Sequence, residues 1–125
     1  MDADYARNAV TPGDPHFVHA LFVLASVMSA VSPGRAVCDA GLKSFSFDSG
    51  LPIVHGRVGV SYAKATDEHG VLEISGDAVS PKPCERVWLV PGHCDPTVNL
   101  YDWYVCVRGG RVEALWPVSA RGAVL

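Results

Sequence analysis

The sequence predicts an all-β domain, a compact antiparallel β-barrel or β-sandwich, and three observations support this fold class. Short segments rich in Val, Phe, Tyr and Trp recur along the chain, and clusters of Gly, Pro, Asp and Ser interrupt them at short intervals. Gly109-Gly110 separates two segments of alternating apolar and polar residues, which is typical of a two-residue hairpin turn. Many short strands joined by turns are typical of barrels and sandwiches.

The predicted strands follow one another along most of the chain. Segment 17–28 is long enough for a helix, but its β-branched and aromatic residues and the Ser-Pro-Gly turn at 32–34 favour a strand that opens a hairpin. The returning strand, 35–46, ends before the turn residues of 48–52. Further strands are predicted at 57–64, 71–74, 85–90, 103–107 and 112–117.

Composition and charge exclude several classes of protein. The chain has 125 residues, of which 49% are hydrophobic and 18% charged, as expected for one globular domain with its own core. The net charge is −3 and no run of Lys or Arg occurs, which argues against binding to nucleic acid. The longest apolar stretch, 17–31, contains a His and two Ser residues and is too short to span a membrane.

The cellular compartment is predicted from two features. Asp2 and Asp4 precede the apolar stretch, where a secretory signal would have basic residues. The four cysteines are far apart and form no CxxC pair. We therefore expect reduced thiols, mostly buried, in a cytoplasmic protein.

His93 and Asp95 are the candidate metal ligands. In an extended backbone, side chains two residues apart leave from the same face, with Cα atoms roughly 6.6 Å apart. Imidazole nitrogen and carboxylate oxygen each bind a divalent metal at roughly 2.0–2.2 Å. Two protein ligands leave coordination positions open, which suits a catalytic or substrate-binding metal. Cys94 is expected to face the other way. The alternative is that His93 and Asp95 only serve a turn before Pro96.

Residues near this pair are candidates for supporting roles. The second ring nitrogen of His93 needs a partner, for which Asp102, Asn99 or a backbone carbonyl is available. Tyr101 and Trp103 follow the candidate ligands and either line a substrate pocket or are buried aromatic residues of the barrel, of which we favour the second.

The remaining histidines are weaker candidates for a site. His16 and His19 are three residues apart, a spacing that suits a metal pair on a helix, whereas this region is predicted to be extended. His55 and His69 lie in loop or turn contexts. We expect no functional role for these four residues.

Three segments, 33–43, 48–52 and 90–102, resemble the C-terminal domain of D-threonine aldolases. The most specific of them contains the stretch His-Cys-Asp-Pro-Thr-Val-Asn-Leu-Tyr-Asp. The wider family includes D-serine dehydratases and 3-hydroxy-D-aspartate aldolases, which are alanine-racemase-like (fold type III) enzymes that use pyridoxal phosphate. The resemblance extends over nearly the whole chain.

The resemblance implies an architecture, a cofactor and a metal. Family members join a β domain to an N-terminal (β/α)8 barrel that holds pyridoxal phosphate on a lysine, and they work as dimers. Their divalent metal is held by a His-x-Asp or His-x-Cys pair, which corresponds here to His93 and Asp95. Dehydratases tend to have Cys at the second position and to bind zinc, so Asp95 favours an aldolase with manganese or magnesium.

The same resemblance implies that the chain is part of a longer enzyme. The sequence has no (β/α)8 barrel, and Lys43, Lys64 and Lys82 lie in strand or loop contexts that do not suit a Schiff-base lysine. We therefore expect residues 1–125 to be the C-terminal β domain of a longer protein and to be inactive alone. No catalytic residue beyond the metal ligands, and no residue that binds pyridoxal phosphate, is assigned within it.

The predicted function is that of a carbon–carbon lyase. The full-length enzyme, a homodimer, would cleave a β-hydroxy-D-amino acid to glycine and an aldehyde, with the metal binding the β-hydroxyl. One alternative is a D-serine or 3-hydroxy-D-aspartate dehydratase, in which the metal helps the hydroxyl to leave and the products are a keto acid and ammonia. The other is a non-catalytic β module that binds a partner or a small ligand.

Overall fold

The fold is almost entirely β, as the sequence predicts. The computed structural model describes Ala3 and residues 17–123, and no helix among these residues is long and apolar enough to cross a membrane. The regular elements are β1 (Val23–Ser32), β2 (Arg35–Cys38), β3 (Ile53–His55), β4 (Val60–Ala65), β5 (Gly70–Ile74), β6 (Arg86–Val90), the short helix α1 (Cys94–Val98), β7 (Trp103–Arg108) and β8 (Arg111–Pro117).

Six strands form one antiparallel sheet in the order β3-β6-β1-β2-β5-β4. The outer strands β3 and β4 contact each other, so the sheet curls into a nearly closed barrel. Its interior follows from strand alternation: in β1, Ala25 and Val27 are buried whereas Leu24 and Met28 are exposed. The core also includes Ala36, Cys38, Phe45, Val54, Val60, Tyr62, Leu72, Val87 and Leu89.

The first hairpin exists but its strands are displaced and shortened. The strand predicted over 17–28 is β1, which begins only at Val23, and the strand predicted over 35–46 is β2, which has four residues. The carboxylate of Asp39 accepts a hydrogen bond of 2.7 Å from the backbone N–H of Ser26. A side chain thus completes the β1–β2 pairing, and the chain leaves the sheet after this point.

The last hairpin is confirmed, but it stands apart from the barrel as a two-stranded sheet. Gly109 and Gly110 both have positive φ, 56° and 76°, as a type I′ turn requires. Trp103 is 57% exposed, so its predicted burial in the barrel is wrong. One face of the hairpin, called the ribbon face below, is apolar and exposed and consists of Trp103, Val105, Val107, Val112 and Leu115.

Helix α1 and the residues after it lie against the irregular segment between β2 and β3, called the 44–50 loop below. Thr97 is 1% exposed, and its Oγ1 accepts a hydrogen bond of 3.1 Å from the backbone N–H of Ser46. The hydroxyl of Tyr101 donates to the carbonyl of Ser44 at 3.0 Å. These two bonds fix the position of the 93–101 segment on the barrel.

A glycine contact completes this packing. A Cβ atom on Gly92 would lie 2.1 Å from the carbonyl oxygen of Gly50, which is far inside van der Waals contact. The backbones therefore approach more closely than any other residue at position 92 would permit. Since His93 follows directly, its position depends on this contact.

We predict that Thr97→Val destabilises the protein by about 1–2 kcal/mol, because valine keeps the shape but leaves the Ser46 N–H without its acceptor. Urea unfolding measures this loss. Thr97→Ser keeps the acceptor and removes one methyl group, so we expect a smaller loss. A Thr97→Val variant as stable as wild type would show that this bond does not hold the two segments together.

We predict that Gly92→Ala lowers the free energy of unfolding by about 3 kcal/mol or more. The new methyl group meets a backbone oxygen that cannot move without shifting the 44–50 loop. Gly76→Ala is the control. Gly76 has φ of +56° and no neighbour within 4 Å of a Cβ, so its replacement carries backbone strain of about 1 kcal/mol and no clash. Equal thermal shifts in the two variants would contradict the packing described above.

Candidate metal centre

His93 and Asp95 lie at the start of helix α1. His93 is the N-cap residue with φ −142° and ψ 127°, and Asp95 is in the first turn. The expectation that both side chains leave one face of an extended strand is therefore wrong. Pro96 lies in the first helical turn. Backbone N–H groups there have no partner within the helix, so the missing N–H of proline costs no hydrogen bond.

The structure nevertheless brings the two candidate ligands close together. His93 Nε2 and Asp95 Oδ2 are 4.0 Å apart, whereas two bonds of about 2.1 Å to one octahedral or tetrahedral ion would place these atoms about 3.0–3.4 Å apart. The Asp95 side chain is 95% exposed, so it can rotate towards an ion. A rotation of Asp95 would let the pair share one divalent metal.

Protein ligands beyond this pair are not gathered in the described part of the chain. Ala3 and residues 17–123 contain no group of three or more His, Cys, Asp and Glu residues that could hold a metal ion. A metal on His93 and Asp95 would therefore take its other ligands from water, from substrate or from elsewhere in a larger assembly. Open positions of this kind suit catalysis better than a structural role.

The second ring nitrogen of His93 is held by Asp48. His93 Nδ1 donates to Asp48 Oδ2 at 2.7 Å, and the hydroxyl of Ser46 donates to the other carboxylate oxygen at 2.6 Å. Ser49 Oγ lies 3.5 Å from the same ring nitrogen. A carboxylate only accepts hydrogen bonds, so Nδ1 carries a proton, and Nε2 lies on the side of the ring that faces Asp95.

The hydrogen bonds at Asp48 also fix its charge. The bond from Ser46 and then the bond from His93 lower the pKa of the Asp48 carboxyl from 3.8 to about 2. Both donors stabilise the carboxylate form. Asp48 is therefore an anion at neutral pH and a suitable acceptor for an imidazole N–H.

Asp102 and Asn99, two candidate partners of His93, have other contacts. Asp102 forms an ion pair of 2.7 Å with Arg121, and the side-chain oxygen of Asn99 accepts a hydrogen bond from the N–H of Gly122. Asp48 was not predicted as the partner of His93, because its sequence context indicates only a turn that ends a strand. The one indication in the sequence was that Asp48 lies in segment 48–52, which resembles the D-threonine aldolase family.

The other aromatic and thiol candidates have structural surroundings. Tyr101 uses its hydroxyl for the carbonyl of Ser44, which supports its packing role. None of the four cysteines is in a disulfide, but only Cys38 is buried, so the expectation of mostly buried thiols is wrong. Cys94 is the first residue of α1 and half-buried.

The lysines and the other histidines lie outside this centre. Lys43 is in a turn rather than the predicted strand, and it is exposed and paired with Glu68. Lys64 is exposed on β4. The ring centroids of His19 and His55 are 6.3 Å apart, edge to face. His16 lies outside the described residues.

Comparisons with known proteins identify the family of this chain. Residues 20–107 match the sequence profile of the family described as "Putative serine dehydratase domain". The chain is 54% identical to a 3-hydroxy-D-aspartate aldolase from Paracoccus denitrificans and 46% identical to a D-threonine aldolase from Arthrobacter sp. Each match covers 98% of this chain and 32% of the relative.

A solved structure shows the same fold. The D-threonine aldolase from Filomicrobium marinum superposes with a TM-score of 0.93 at 50% identity, over 100% of this chain and 34% of that chain. The present chain thus spans about a third of the length of the proteins that it matches. From the family profile and these relatives together, the chain belongs to the serine dehydratase domain family, with D-threonine and 3-hydroxy-D-aspartate aldolases among its relatives.

Proposed function

We propose that residues 1–125 are the C-terminal β domain of a pyridoxal-phosphate-dependent aldolase that cleaves β-hydroxy-D-amino acids of the D-threonine type to glycine and an aldehyde. We further propose that His93 and Asp95 bind its divalent metal. The observation that carries the proposal is the 4.0 Å separation of His93 Nε2 from Asp95 Oδ2, in a chain whose relatives are named as such aldolases.

The reaction breaks the Cα–Cβ bond of the substrate. The β-hydroxyl loses its proton, its carbon becomes the aldehyde carbon, and the electron pair left at Cα takes up a proton to give glycine. When bound, pyridoxal phosphate accepts that electron pair and the metal ion lowers the pKa of the hydroxyl. The chain itself supplies the imidazole of His93, whose Nδ1 is hydrogen-bonded to Asp48, and the exposed carboxylate of Asp95.

The ligand at position 95 favours an aldolase that uses manganese or magnesium. A carboxylate suits these hard ions, whereas a thiolate would select a softer ion such as zinc. Cys94 lies between the two proposed ligands, at the first position of the helix. A dehydratase remains the second candidate because the matching family is described by serine dehydratase activity.

Other parts of the proposal concern the rest of the enzyme. The lysine that binds pyridoxal phosphate belongs to an N-terminal barrel, which makes up the remaining two-thirds of the full-length enzyme. The ribbon face supports a homodimer or a contact with that barrel, because exposed apolar faces mark interaction surfaces. The absence of disulfides among the four cysteines supports a cytoplasmic location.

Product analysis of the full-length enzyme tests this function. The protein in which this chain follows its barrel is incubated with D-threonine, 3-hydroxy-D-aspartate and D-serine, with and without manganese. We expect metal-dependent glycine and an aldehyde, and the fastest substrate defines the subclass. Keto acid and ammonia without glycine would show a dehydratase, and the absence of any product would favour the non-catalytic module.

We predict that His93→Ala reduces turnover to the metal-free rate of the wild type and makes it insensitive to added manganese, because one of two protein ligands is lost. His69→Ala is the matched control, since His69 lies exposed in the turn before β5, and it should keep the wild-type response. Metal-stimulated turnover in His93→Ala at the wild-type manganese concentration would rule out His93 as a ligand.

A further inference from the structure

Two hydrogen bonds hold the carboxylate of Asp48 beside the His93 ring. Its Oδ2 accepts the Nδ1–H of His93 at 2.7 Å, and its Oδ1 accepts the hydroxyl hydrogen of Ser46 at 2.6 Å. Ser46 is itself fixed, because its N–H donates to the buried hydroxyl of Thr97 in helix α1. The carboxylate is thus linked to the same helix whose N-cap is His93.

The backbone on either side of Asp48 is equally constrained. Gly50 donates its N–H to the carbonyl of Phe47 at 3.1 Å, which closes a tight turn around Asp48. The carbonyl of Gly50 in turn contacts Gly92. Asp48 therefore keeps its place relative to His93 before any ligand binds.

We infer that Asp48 is a positioning residue for the metal site, which holds His93 with its proton on Nδ1 and with Nε2 directed at the position that a metal shared with Asp95 would occupy. The inference rests on the proposed function. A carboxylate that accepts the remote N–H of a ligating histidine fixes the ring orientation and raises the basicity of the metal-binding nitrogen. Asp48 contacts the ring at Nδ1, whereas the shared metal would bind at Nε2, so we assign Asp48 to support of the ligand and not to coordination.

Manganese affinity of the full-length enzyme tests the inference. The electron paramagnetic resonance signal of unbound manganese gives the dissociation constant for wild type and for variants. Asp48→Ala should weaken binding by about 10- to 100-fold, the usual effect of removing such a partner. Asp48→Asn keeps an acceptor but loses the charge, so its loss should be smaller.

The control is Asp102→Asn, which neutralises a carboxylate after helix α1 that pairs with Arg121. Its manganese affinity should stay within about twofold of wild type, well below the effect of a lost partner. Melting temperatures of all variants are measured in parallel, so that a general loss of folding is separated from a loss of metal affinity.

Measurements at saturating metal concentration distinguish a positioning role of Asp48 from a purely structural role. Asp48→Ala should recover most of the wild-type turnover at high manganese, and its cobalt absorption spectrum at saturation should match that of wild type, because His93 and Asp95 are still present. His93→Ala should recover neither.

The two proposals fail in different ways. Wild-type manganese affinity in Asp48→Ala, in a protein whose affinity is lost in His93→Ala, would overturn the positioning role alone. Weak affinity in Asp48→Ala that excess metal cannot offset, with a lowered melting temperature, would also overturn it and would make Asp48 a purely structural residue. Manganese affinity that depends on neither His93 nor Asp95 would overturn the metal site of the proposed function.

Discussion

The packing of the 93–101 segment against the 44–50 loop is the constraint on which the candidate centre depends. It consists of a buried threonine hydroxyl that accepts a backbone N–H, a tyrosine hydroxyl that donates to a backbone carbonyl, and a close glycine contact. Each bond uses a backbone group of the 44–50 loop, so separating the segments would leave polar groups without partners. His93 directly follows Gly92, and the 44–50 loop contributes Asp48, which accepts the hydrogen bond from His93 Nδ1.

The resulting site has one constrained side and one exposed side. Asp48 accepts hydrogen bonds from two donors and is held in a tight turn, whereas Asp95 is almost fully exposed and lies 4.0 Å from the imidazole. A fixed imidazole gives a metal site its location, and an exposed carboxylate has room to rotate as the coordination adapts to water or substrate. A catalytic metal needs both properties, since its open positions must exchange ligands.

The sequence predicted the fold class and the candidate ligands but not the geometry between them. Alternating residues and the turn at Gly109-Gly110 were sufficient for most barrel strands and the last hairpin, because strand period and turn conformation are local properties. The three-residue strand β3 was not predicted. Helix α1 was not predicted, because a proline such as Pro96 is typical both of a break in a strand and of the first turn of a helix. Asp48 was missed because its contact with His93 joins residues distant in sequence. Such contacts follow from tertiary packing, which no local pattern specifies.

Anomalous diffraction from crystals of the full-length enzyme grown with manganese tests the central claim most directly. We expect a single strong peak within about 2.2 Å of His93 Nε2 and of an Asp95 carboxylate oxygen, with Asp48 still in hydrogen-bond contact with Nδ1. A peak bound to Asp48 or Cys94, or one distant from helix α1, would contradict the description of this site.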